Sequence, residues 1–428
     1  MTPIRLLRRL LGRLVLVEEG EAPALLWSAL YFFLLLFGLY LLRPVREAMG
    51  IARGADKLPW LMTGTLLAMA LANPAFAALV SRLPRRRFIP RVYRFFALHM
   101  LGFFLAFRLL PGHGGAALGY AFYIWLSVLN LFVVSVFWGL MSDVWSEIQG
   151  RRLFGFIATG GTLGALAGAA LTGALTKGMA FGAFRLKVDP LSLLLLSAVS
   201  LELAVQCVNR LAGIFRLGDS AHGEREPGPG LLEGLRLIAT SRYLQLICAY
   251  MLLFTITSTF LYLEQGAIVE RTFAGTAART AAFARIDFWV NALTLVTQIF
   301  LTGRLITALG IPVILSILPV LTLAGFGALW AWPVFGVMAL FQVLRRGLHY
   351  AVDRPAREIL YIPLGPEERY KSKPFIDTFV YRGGDLLGVW APAALRLMAL
   401  PLGAAAMGAS ALWAAAAWGL GGLRKKLR

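Results

Sequence analysis

Residues 371–387 place several charges inside an apolar run. Lys371, Ser372, Lys373 and Pro374 open it, and Asp377, Tyr381, Arg382 and Asp385 follow, with Gly383 and Gly384 between the last two. The run continues to Leu395 and is long enough to cross a bilayer. Arg382 lies about eight residues into it and Asp385 about eleven, or ~12 and ~17 Å at helical rise, near the midplane. A charge at that depth costs roughly 2.5–3.5 kcal/mol on insertion scales, so such residues face a cavity or a partner. Helical spacing sets Asp377, Tyr381 and Asp385 on one face and brings Arg382 within pairing reach of Asp385. The chemistry this allows is anion capture. Asp385 and Asp377 hold Arg382 when the site is empty, and a solute competes for its planar fork, which suits phosphate.

Other polar residues share this pattern. Arg43, Arg46 and Glu47 face one way if the first span continues through Pro44, and position alone divides evenly between interfacial snorkelling and solute contact. Asn130 lies in the fourth span between Trp125 and Trp138, where interhelical bonding is the favoured reading. Asp287, Asn291, Thr294 and Gln298 recur at helical spacing, a stripe that must face protein or water. Gln342, Arg346, His349, Asp353 and Arg357 form a second stripe, whose later members are expected to emerge into the cytoplasm. His349, like His99, reads as a hydrogen-bonded structural residue. The candidate solute-binding set is therefore Arg43, Arg46, Glu47, Asn130, Asp287, Asn291, Arg346, Asp377, Tyr381, Arg382 and Asp385. Candidate gating residues are Arg82 and Arg86 in the loop after the second span, Asp143 and Arg152 (with Glu147 and Arg151) that could latch it, and Arg304 in the matching later loop. Gly160, Gly164 and Gly168 form a small-residue face for close helix packing. No Walker A signature, nucleophile–base pair or metal-ligand spacing occurs, so the reading is of no enzyme, no cofactor, no metal and no ATP-driven pump. Cys207 and Cys248 lie in apolar runs and make no disulfide framework.

The elements that carry these residues are membrane spans. The chain has 428 residues, 59% of them hydrophobic, well above the roughly 45–50% of soluble domains. Apolar runs at 23–43, 58–80, 91–110, 116–142, 153–176, 190–212, 241–263, 284–306, 310–331, 333–352, 374–396 and 400–421 make about twelve helices. The domains expected are an amphipathic cytoplasmic segment (1–22), a six-helix half (23–216), a cytoplasmic linker (217–240), a second six-helix half (241–422) and a basic tail (423–428). The net charge of +20 is then orientation rather than nucleic-acid binding, because most basic residues collect on the side that holds both termini, the cytoplasmic side of an inner membrane. Arg382 alone is left deep within a span. The halves also echo each other: Leu79, Arg82, Leu83, Ile89 and Pro90 recur as Leu301, Arg304, Leu305, Ile311 and Pro312, and Phe156-Ile157 before Gly160-Gly161 as Phe375-Ile376 before Gly383-Gly384. The fold class expected is an all-α polytopic membrane protein of about twelve transmembrane helices in two six-helix pseudo-repeats, the major facilitator fold, with a solute site at the midplane.

Several stretches resemble the nucleotide transporter family, the ATP/ADP translocases of plastids and intracellular bacteria and their free-living relatives. They are residues 42–47 (Leu-Arg-Pro-Val-Arg-Glu), Phe137-Trp138-Gly139 with Asp143, residues 151–157 and Lys371-Ser372-Lys373 through Ile376-Asp377 to Arg382-Gly383-Gly384. The resemblance spans roughly residues 23–400. It implies nucleotide exchange on a twelve-helix fold, with Arg46 and Arg382 at the family's basic positions and Asp287 at its eighth-helix acid. The fourth span has Ser127 and Asn130 and no acid, which widens the expected solute to related anions. The reading is a secondary transporter of an anionic or phosphorylated small solute, with ATP/ADP-type antiport as its sharpest form. Its partners are that solute and the bilayer. The alternatives are a proton-coupled facilitator, with Asp287 or Asp385 as proton site, and a non-transporting receptor or scaffold. Solute identity, coupling ion and oligomeric state stay open.

Overall fold

The computed structural model describes residues 18, 20–82, 85–110, 113–181, 184–186, 188–215, 231–365, 368, 372–373 and 375–426. The expected N-terminal amphipathic segment and most of the linker lie outside them. Contacts divide the chain into two units, Met1–Arg53 with Leu67–Glu224 and Ala274–Asn291, and Gly54–Leu66 with Arg225–Phe273 and Ala292–Arg428.

The first unit is organised on α1 (Glu21–Gly50), a helix apolar on all sides and buried along most of its length. It packs against α4 (His113–Val144), α5 (Glu147–Lys177) and α6 (Leu193–Ile214), while α3 (Arg85–Leu109) packs on α4 and α6. Much of α2 (Leu58–Arg82) also belongs here. Residues Ser146 and Gln149 start α5 with a reciprocal capping box. The glycine face then does what its spacing predicts: a Cβ at Gly160, Gly164 or Gly168 would overlap the carbonyl oxygens of Ala29, Phe33 or Phe37, so the α1 and α5 backbones touch. Hydroxyls fix α1 on two sides. Thr172 on α5 donates to Leu41 O (3.1 Å), and Ser197 and Ser200 on α6 donate to Gly38 O (3.0 Å) and Leu34 O (2.6 Å). A short antiparallel hairpin, β1 (Met179–Phe181) and β2 (Phe184–Leu186), links α5 to α6.

The second unit repeats the scheme. After the short α7 (Leu231–Thr240), α8 (Arg242–Thr272) takes the part of α1. It packs on α11 (Phe335–Leu348), α13 (Tyr381–Leu397) and α14 (Leu402–Lys426), and α10 (Thr302–Ala331) packs on α11 and α14. Gly384 and Gly388 on α13 lie against Thr255, Ile256 and Thr259 of α8, the counterpart of the α1–α5 glycine contact. Residues 54–66 join this unit, where Trp390 Nε1 donates to Thr63 Oγ1 (3.1 Å) and its ring meets Trp60 edge-on.

Among the described residues, eight helices are long and apolar enough to cross a membrane. Of the other four runs of the expected twelve, α2 is described in full only over residues 58–72, and three fall short for a physical reason. The helix α9 (Gly275–Phe300) carries Arg279, Arg285 and Asp287; the runs through α11 and α13 are broken by π turns at His349–Asp353 and Ile376–Val380. The structure also moves one boundary. The run was expected to start at residue 284, but α9 begins at Gly275, and Ala281, Ala282 and Ala284 bury a small-residue face on the added turns.

Candidate functional site

In the first unit, α1 runs through Pro44, so Arg43, Arg46 and Glu47 stay in helical phase. The Arg43 side chain donates to the Tyr40 hydroxyl (3.0 Å) and its Nε lies 3.7 Å from Asp287 Oδ2 on α9. Asp287 is buried, while Arg43 keeps about a third of its side chain exposed. The Arg46 Nη2 pairs with Glu47 Oε1 at 3.2 Å, and its guanidinium lies 4.3 Å from the Tyr123 ring centre. Asn291 donates to the Asp287 carbonyl (2.7 Å), so its amide is engaged by its own helix. Asn130 is exposed on α4.

The second unit holds the denser cluster, around two interrupted helices. Pro355 has no N–H to offer the Ala351 carbonyl, and the Thr302 hydroxyl donates to it instead (2.7 Å). The chain loosens there into the π turn His349–Asp353 before resuming as α12 (Arg354–Leu360). That run corrects two expectations. Asp353 is not solvated beyond the span but 1% exposed. Of the neighbouring arginines, Arg345 rather than Arg346 is the buried one, at 3% exposure. Sequence counting put Arg345 at a membrane boundary, yet it sits ten residues into the helical run 335–360, about 15 Å from its start. Arg382 is therefore not the one basic residue deep in a span.

Arg345 is held by neutral oxygens. Its Nε donates to Thr322 Oγ1 (3.1 Å), and its Nη2 to Phe254 O (3.2 Å), Thr257 Oγ1 (3.2 Å) and Ser258 Oγ (2.8 Å). The guanidinium lies 5.3 Å from the Phe254 ring centre and 5.9 Å from that of Trp413. About two turns further on, Asp353 Oδ1 accepts from the Tyr250 hydroxyl, and its Oδ2 lies 2.9 Å from His349 Nδ1 and 3.4 Å from Arg357 Nε. His349 stacks on Phe254 with ring centres 4.4 Å apart. A small cleft lies beside this cluster, lined by Tyr250, Met251, Arg357, Glu358, Tyr361 and Asp377.

The 371–387 stretch keeps one expected feature and loses another. Arg382 Nη1 lies 3.4 Å from Asp385 Oδ2, with 42% of the arginine side chain exposed. Asp377, Tyr381 and Asp385 do not follow uninterrupted α-helical phase, because the π turn Ile376–Val380 adds residues per turn between them. Asp377 lines the Arg357 cleft instead. Of the gating set, Arg152 bonds Glu21 (2.9 Å) and Glu18 (3.0 Å), and Gln149 Nε2 donates to Glu21 Oε1 (2.9 Å), tying the start of α5 to the start of α1. Arg86 and Arg304 are exposed and Asp143 is half-buried. The side chains of Arg82, Glu147 and Arg151 lie outside the described residues. The residues that sequence reasoning missed as a site are Arg345 and its four acceptors. The one signal available was Arg345 beside the polar stripe, which helical phase alone assigned to its neighbour.

No protein-family model matches the sequence. Solved structures do share its fold. An auto-inhibited peptide transporter of the POT family superposes with a TM-score of 0.61 at 12% identity, covering 94% of this chain and 97% of its own. A mutant of the nucleoside transporter NupG gives 0.58 at 13%, over 94% and 99%. A bacterial homologue of the human lysosomal transporter Spinster, inward-facing and unoccupied, gives 0.57 at 14%, over 96% and 94%. Apart from the short hairpin, the described chain is thus a helical polytopic membrane protein. More particularly, its two six-helix pseudo-repeats make the major facilitator fold.

Proposed function

We propose that this chain is a secondary transporter of an anionic or phosphorylated small solute, working by alternating access in an inner membrane with both termini cytoplasmic. The observation that carries the reading is the group of arginines on broken membrane helices of the second unit. Arg345 is buried among neutral oxygens, Arg357 borders a cleft, and Arg382 is half-exposed with a long 3.4 Å contact to Asp385. Such a pair is readily exchanged for a solute phosphate, which a guanidinium binds in bidentate fashion. Arg43 and Arg46 supply further positive charge in the first unit. The resemblance of residues 42–47 and 371–384 to ATP/ADP translocases makes nucleotide exchange the first form to test. The transporters that share the fold carry nucleosides and peptides among their named solutes, which supports a small-solute cargo.

The test is counterflow. Proteoliposomes loaded with ADP are offered labelled ATP, and the wild-type protein accumulates label while Arg382→Ala, folded and inserted, does not. Absence of counterflow with every nucleotide removes the nucleotide form. Wild-type flux through Arg382→Ala removes that residue from the mechanism. A proton-coupled variant has one observation in its favour, the buried Asp287 beside a partly exposed Arg43. Collapse of uptake on adding a proton uncoupler would select it over exchange.

A further inference from the structure

Arg345 has an unfinished charge balance. Four neutral acceptors hold its Nε and Nη2. Among the described residues, its Nη1 has no acceptor and no carboxylate lies within 4.0 Å of the guanidinium. Arg345 is 3% exposed, and Nη1 is not among the wholly enclosed polar atoms that lack a partner. The buried acid of the cluster is already engaged: Asp353 takes Tyr250 on one oxygen and His349 with Arg357 on the other. Two guanidiniums thus share one buried carboxylate. A purely structural arginine would be expected to end on a carboxylate or to have its whole fork satisfied, since an uncompensated buried charge is strongly disfavoured. The aromatic faces of Phe254 and Trp413 orient the plate without neutralising it.

We propose that Arg345 is an anion-recognition residue whose Nη1 edge receives an oxyanion, phosphate or carboxylate, of the transported solute. Thr322, Thr257, Ser258 and the Phe254 carbonyl act as positioning groups that aim this edge. The proposal rests on the transport reading for its ligand but not on Arg382, and it assigns the residue next to the one that helical phase singled out.

The experiment uses purified full-length protein and follows thermal unfolding while orthophosphate, pyrophosphate or succinate replaces chloride at constant ionic strength. A ligand that binds the native state raises the midpoint with concentration. For the wild type we expect such an increment, and the phosphate and succinate arms report which oxyanion is preferred. In Arg345→Gln the half-saturating concentration rises at least about tenfold, as for loss of a charge-assisted contact. Arg345→Lys keeps the charge without the fork and falls between. Arg94→Gln, on an exposed pair with Glu202, keeps the full increment. A structural role alone would lower the midpoint of Arg345→Gln in every buffer and leave the increment unchanged, and that result overturns the proposal. So does a wild type whose midpoint responds to none of the three anions, which needs no variant to fold. Failure of the two readings can be told apart. Anion increments that depend on Arg345 without nucleotide counterflow sink only the nucleotide form. Counterflow with unchanged half-saturation in Arg345→Gln sinks only this assignment.

Discussion

Asp353 shows how much one carboxylate holds in a membrane helix. It is 1% exposed and collects Tyr250, His349 and Arg357, side chains from α8, the π turn and α12. Asn in its place keeps the shape and one acceptor but leaves the largely buried Arg357 without its paired carboxylate. Removing one partner of a buried pair costs about 3–5 kcal/mol, so Asp353→Asn should lower the unfolding midpoint sharply. The double variant Asp353→Asn/Arg357→Gln should recover much of that loss, a coupling that a double-mutant cycle measures directly. Equal destabilisation by the single and double variants would show that the ion pair is not what Asp353 supplies. At this scale the sequence was legible in kind but not in phase. That charges lie inside apolar runs is plain from the order of residues. Which of Arg345 and Arg346 turns inward is not, nor is the pairing of Arg43 with Asp287, since both depend on how distant helices pack.

Helices are where local sequence was most informative. The Gly160, Gly164 and Gly168 face was readable because backbone contact requires the absence of a side chain at that spacing. The prediction that follows separates packing from propensity on one helix. On α5, a Cβ at Gly164 would meet the Phe33 carbonyl, whereas one at Gly155 meets nothing within 4 Å. Gly155→Ala should be neutral or stabilising by up to about 1 kcal/mol, the ordinary helix preference for alanine. Gly164→Ala should force α1 and α5 apart and cost about 1–3 kcal/mol, as overpacking does. Melting of both variants in one detergent checks the pair of signs, and equal behaviour would contradict the close α1–α5 contact. The π turns were not readable. The first is marked by Pro355, which strands the Ala351 carbonyl, and by Thr302 on another helix, which satisfies it. A polar stripe drawn at α-helical phase passes through such a turn at the wrong angle, which is why Asp377, Tyr381 and Asp385 do not keep the single face drawn for them.

At the scale of the chain, the repeat in sequence and the repeat in packing support each other. Tyr31 on α1 meets Tyr93 on α3, and Tyr250 on α8 donates to Leu315 O on α10, so corresponding helices hold each other through tyrosine in both units. An even number of spans puts both termini on one side, and the fold alone does not say which. The orientation proposed above puts Arg85, Arg86, Arg87, Arg91 and Arg94 at the start of α3 and Arg424 with Lys425 and Lys426 at the end of α14 in the cytoplasm. Positive residues near span ends are retained in the cytoplasm. Fusion of green fluorescent protein to the C-terminus should therefore fluoresce, and alkaline phosphatase there should be inactive. The same phosphatase placed in the β1–β2 hairpin between α5 and α6 should be active. The reverse pattern would invert the protein in the membrane. It would put the Arg152–Glu21 tie at the start of α1 and α5 on the external side and overturn the orientation proposed above.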